Sequence, residues 1–143
     1  KGMNLFEQIG EFKPDSLIAG NSFPIMKEGI GLKAGQGILK RGSLIMKCAD
    51  GAGYIAGTVV TVTTGEGASA TTETAKMKVF GILTDDCDTG TDVSADNIPV
   101  VCYQTGEMNR EAVIVSGEGA TVETYESDMK KVGIYLRNIQ KYE

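Results

Sequence analysis

The chain has no histidine and no tryptophan, and only three prolines and three cysteines among its 143 residues. Each shortage removes a class of function. Without histidine there is no Ser-His-Asp or Cys-His constellation and no imidazole to complete a zinc site. No GxSxG occurs either, which leaves only a Ser-Lys or Thr-based nucleophile open. With so little of the acid-base repertoire present, the chain reads as a non-enzyme. The aromatic supply is five tyrosines and four phenylalanines, a poor endowment for a site that stacks on sugar faces.

Cys48, Cys87 and Cys102 are odd in number and far apart, with no CxxC. They read as small apolar residues in a reducing cytoplasm, not as a disulfide framework. No apolar run reaches the ~18 residues that mark a spanning helix. "MNLFEQIGEF" is too short and too charged for a signal peptide. Met3 is taken as the natural start, with Lys1 and Gly2 as an added remnant.

Glycine, by contrast, is abundant at 19 residues, about twice the ~7% average share. Together with many Val and Thr residues it points to short strands joined by turns. The length favours one domain with an ordinary core. The formal charge is −5 and the pI near 4.8, with no basic block. Nucleic acid, which is bound through clustered Lys and Arg, is therefore not an expected partner. An acidic surface suits a protein kept soluble at high copy number.

Leu5, Ile9 and Phe12 share a helical face over 3–13, ended by Pro14. Residues 15–30, "DSLIAGNSFPIMKEGI", are apolar without a period and read as extended chain. Such a segment suits either strand addition to a partner's sheet edge or an edge strand of its own core. The pattern predicts strands before and after a Lys40-Arg41-Gly42 turn, where Gly42 supplies a positive φ. A β-branched strand is expected over 54–64, an exposed loop or hairpin tip over 65–76, and a buried strand over 78–84. Strands over 98–104 and 111–116 are expected to be joined through "TGEMN", with a further short strand over 121–125. Residues 126–132 carry acids first and lysines last, as a short helix would, with Gly133 as its cap. "IYLRNI", 134–139, alternates as a final strand. The expected fold is mainly β with minor α. It is a compact β-barrel or sandwich-like domain over 31–143, with a short helix near its C-terminus and an extended N-terminal arm over 1–30.

The acidic loop 85–97 fails the EF-hand spacing. From Asp86, position 5 is Gly90 and position 12 is Asn97, where an acid or amide and a glutamate are needed. It reads as a solvated turn, and neither a metal nor a cofactor is expected. The "GEG" triplets at 65–67 and 117–119 lack the phosphate-loop pattern and read as turns.

The order of segments carries a resemblance. "AGQGILKRGSLIM" resembles the Gly-Gln, basic-Gly-hydrophobic start of the phage head decoration proteins, the family typified by the lambda capsid-stabilising protein. "VFGILTDDCDT" is similar to a Gly-Ile-Leu strand entering an acidic turn. "IPVVCYQTGEMNREAVIV" resembles a strand pair of that family, and "DMKKVGIYLRNI" its closing helix-Gly-strand. The N-terminal arm and 54–76 depart from the pattern. The resemblance implies a structural protein that sits as a homotrimer on the outside of the expanded head and stabilises the coat lattice. Its partner would be the major capsid protein, and its place the virion exterior after synthesis in a bacterial cytoplasm. Leu17, Ile18, Phe23, Pro24 and Ile25 are the expected capsid anchors in an arm that orders on the shell. The alternative reading is a carbohydrate- or cell-surface-binding β module.

Overall fold

The computed structural model describes residues 16–117 and 119–138. The helix expected over 3–13 lies outside them.

The two most apolar strands sit at the centre. β4 (Leu44–Cys48) pairs antiparallel with β8 (Met77–Leu83). Side chains alternate across a strand, so a strand covered on both faces is apolar throughout. Ile45, Phe80 and Leu83 point into one cluster with Ile30, Leu32, Leu39 and Cys102. Leu44, Met46, Val79 and Ile82 point into another with Leu17, Met108, Met129, Ile134 and Leu136. The first cluster is the inside of a closed barrel. The second lies between that barrel and an outer layer.

The barrel adds β2 (Lys27–Leu32), β5 (Ala52–Ile55) and β10 (Ile98–Tyr103), in the closed order β10-β2-β5-β4-β8. Only the β2–β5 pair is parallel. The outer layer is a three-stranded sheet, β1 (Ile18–Gly20), β11 (Gly106–Asn109) and β12 (Ile134–Arg137), with α1 (Glu123–Val132) beside it. Met129 of α1 is fully buried against this second core. Two small ribbons complete the described chain: β3 (Ile38–Leu39) with β9 (Cys87–Asp88), and β6 (Thr61–Thr64) with β7 (Thr71–Thr74). The mainly β fold with one short C-terminal helix is as expected from the sequence.

Several boundaries differ from expectation. The single strand over 54–64 is two strands, β5 and β6, broken at 56–60. Gly57 has φ +99°, and a Cβ there would collide with the Ser116 carbonyl. The "TGEMN" joint contains a strand, because β11 is held on both sides by β1 and by parallel pairing with β12. Residues 111–116 hold no strand of their own. Arg110–Ala112 is a single 3₁₀ turn, with Asn109 Oδ1 accepting the Glu111 N–H at 3.2 Å. The short strand expected over 121–125 is instead the start of α1, which begins at Glu123. The arm boundary drawn at residue 30 runs through β2, which pairs with β10 from Lys27 to Leu32.

Candidate functional site

Arg41 leaves the turn before β4 and donates from Nη1 to the Thr84 carbonyl (2.7 Å) and the Tyr103 hydroxyl (2.8 Å). Its backbone N–H donates to Asp86 Oδ1 at 2.7 Å, with Lys40 Nζ 3.5 Å from Oδ2. The Arg41 N–H bond, followed by the Lys40 charge, holds the Asp86 carboxyl below the usual range. Arg110 grips Glu126 of α1 with two bonds of 2.6 and 2.8 Å. Both groups tie one element to another.

The acidic loop behaves similarly. Asp88 accepts the Gly90 N–H at 2.8 Å, and Asp92 accepts both the N–H and the hydroxyl of Ser94. The Ser94 bonds lower the Asp92 pKa. Among the described residues no three His, Cys, Asp or Glu side chains converge as metal ligands would.

One nucleophile spacing was missed in the sequence. Ser127-Asp128-Met129-Lys130 fits SxxK. On α1, Ser127 and Lys130 are both exposed while Met129 between them is buried. The pair therefore lies on the outer side of the helix, without the enclosed setting in which an activated nucleophile works.

The five expected anchors separate by position. Leu17 is buried in the second core, its carbonyl accepting the Asn109 N–H at 2.7 Å. Phe23 is half-buried, edge-on to Tyr135 of β12 at 5.1 Å between ring centres. Ile18 lies opposite Met108 on β1, 37% exposed. Pro24 is exposed, and its carbonyl accepts the Thr105 hydroxyl at 2.7 Å. Ile25, also 37% exposed, lies over Gly106.

The structure adds Met26, which sequence reasoning passed over and which is 61% exposed. Its N–H donates to Thr105 Oγ1 and its carbonyl accepts the Gln104 N–H. Residues 17–26 thus clasp β11 and β12, burying Leu17, half-burying Phe23 and presenting Ile18, Pro24, Ile25 and Met26 outward. β1 is the end strand of its sheet, so its second edge is open to a further strand among the described residues.

The six aromatic rings among the described residues offer no platform: Tyr54, Phe80 and Tyr103 are buried, and Phe23, Tyr125 and Tyr135 are half-buried. No family model matches the chain, and no curated protein matches it.

Proposed function

We propose that the chain is a structural decoration protein, which binds the outside of an expanded phage head as a homotrimer and stabilises the coat lattice. The observation that carries this reading is the segment 17–26. It presents four apolar residues, Ile18, Pro24, Ile25 and Met26, on the surface, and it contains β1, an end strand of its sheet among the described residues. An open edge pairs with an added strand through backbone bonds, and neighbouring apolar side chains supply contact area. The segment belongs to 1–30, the stretch in which the resemblance puts the capsid-binding arm. Three copies of a modest contact in one trimer gain through effective concentration. The motif order from about Leu32 to Ile139 supports the same reading.

The test is co-sedimentation with expanded heads stripped of their own decoration protein. The wild type pellets with the heads in a saturable way. I25D/M26D, whose side chains are exposed, stays folded by circular dichroism and binds at least tenfold more weakly. Equal binding by wild type and I25D/M26D removes this surface from the contact. Absence of binding by the wild type removes the function.

A further inference from the structure

The chain carries a second polarised feature, which the clasp does not use. Lys47 on β4 stands directly opposite Lys78 on β8, and Lys76 lies two residues before Lys78, on the same face of an extended chain. All three are exposed. With Cys48 and Ala49 they line a depression of about 400 Å³. It adjoins a second depression of about 370 Å³, lined by Met77, Lys78, Val79, Asp128, Lys131 and Val132. Lys78 belongs to both.

Like charges facing each other across a ladder repel. Here that repulsion is unrelieved: among the described residues no carboxylate lies within ion-pair distance of Lys47, Lys76 or Lys78. Lys47 Nζ rests 5.9 Å from the centre of the Phe80 ring. Asp50, the acid nearest to Lys47 in sequence, accepts the Ala52 N–H within its own turn at 2.9 Å. A chain of net charge −5 thus holds three lysines around one groove with no carboxylate partner among the described residues.

The opposite charge sits at the other end of the same strand. β8 begins beside Lys76 and ends at Leu83, and the loop 85–97 follows at once. This loop carries Asp85, Asp86, Asp88, Asp92 and Asp96, all exposed, and no lysine or arginine. At about 3.3 Å per residue the two ends are roughly 20 Å apart along β8. One copy therefore presents a basic groove at one end of the barrel and an acidic loop at the other.

We propose that the Lys47–Lys76–Lys78 groove receives the acidic loop 85–97 of a second copy of this chain, in a head-to-tail contact. Such a contact uses two different patches, so every protomer has both a donor and an acceptor, and a closed ring leaves none unused. The inference rests on the homotrimer reading and names the surfaces that join its protomers. The attraction acts between exposed groups, so it weakens as salt shortens the screening length from about 10 Å at 0.1 M to about 3 Å at 1 M.

The test is sedimentation velocity of the full chain in low and high salt, with no head present. The wild type is expected to run near three times 15.1 kDa at low salt and to dissociate at least tenfold more readily at 1 M. K76E/K78E and D85K/D88K are each expected to run as monomers at that concentration, and K76Q/K78Q to be intermediate. The variant carrying both reversals, K76E/K78E/D85K/D88K, is expected to assemble again. Reversed variants that keep the wild-type fold and mass at every salt concentration overturn the inference and leave the trimer standing. A wild type that is monomeric at all concentrations overturns the inference together with a preformed trimer. Head co-sedimentation then judges the decoration function separately.

Discussion

Gly81 and Tyr103 meet where β8 and β10 close the barrel: a Cβ on Gly81 would stand 2.5 Å from the Tyr103 carbonyl oxygen and 3.1 Å from Cys102 Cβ. The obstacle is backbone on a neighbouring strand, so a rotamer change cannot relieve it. Gly81→Ala should therefore cost about 1–3 kcal/mol, the usual range for overpacking. Urea denaturation measures this as a lowered midpoint. An unchanged midpoint would mean that the seam is looser than described.

Gln36 is a hub for three backbone groups. Its Nε2 donates to the Lys33 carbonyl at 2.8 Å and the Gly53 carbonyl at 3.0 Å, and its Oε1 accepts the Ile55 N–H at 3.0 Å. Gln36→Leu keeps the bulk and strips all three partners. The Gly53 carbonyl keeps the Lys33 N–H at 3.0 Å, but leaving the Lys33 carbonyl and the Ile55 N–H without this partner in a half-buried site should cost about 1–3 kcal/mol. The Ile55 amide should also exchange faster than that of its neighbour Tyr54 relative to wild type, which a uniform loss of stability would not produce.

The Arg110–Glu126 fork predicts a pH dependence. The Arg110 hydrogen bonds, then its charge and that of Lys130, hold the Glu126 carboxyl below its ordinary value of 4.5. A carboxylate with a depressed folded pKa stabilises fully above the unfolded value, and that stability fades as pH falls through the folded one. Stability should thus decline on acidification below about pH 4.5, with Asp86 and Asp92 acting in the same direction. In Glu126→Gln the decline should be shallower and the neutral-pH stability lower. Parallel wild-type and variant curves would remove Glu126 from the effect.

The cysteines should differ in reactivity. Burial pushes the Cys102 thiol up to about 12, so its thiolate is negligible at pH 8. Iodoacetamide should leave Cys102 unmodified in the native protein and modify it in urea. Cys87 is half-buried, with its pKa raised by burial and by Asp88. It should label slowly without urea. Peptide mass mapping separates the two, and rapid native labelling of Cys102 would contradict its place inside the barrel.

What was legible in the sequence was local. The apolar run of β8, the basic turn closed by Gly42 (φ +97°) and the helix ended by Gly133 (φ +93°) each carry their signal in adjacent residues. β11 was not legible, because Gly-Glu-Met-Asn has little strand preference and is held in place by partners from both ends of the chain. The start of α1 was hidden for the opposite reason: Thr121, Val122, Thr124 and Tyr125 look like strand residues, yet packing of Tyr125 and Met129 on the second core puts Thr124 and Tyr125 in the first turn of a helix that begins at Glu123. The anchor segment was visible as an apolar extended stretch, but not which of its side chains turn inward. The lysine groove could not be read at all. Lys47 and Lys76 are 29 positions apart, and only the β4–β8 register brings them together.

The central claim is stabilisation of a coat lattice, and the most direct measurement is the temperature at which stripped expanded heads rupture as the protein is added. A ligand that binds only the assembled lattice raises that temperature with its concentration. The expected result is a saturable rise with wild type and a rise shifted to at least tenfold higher concentration with I25D/M26D. A rupture temperature that does not move at any wild-type concentration would contradict the decoration function.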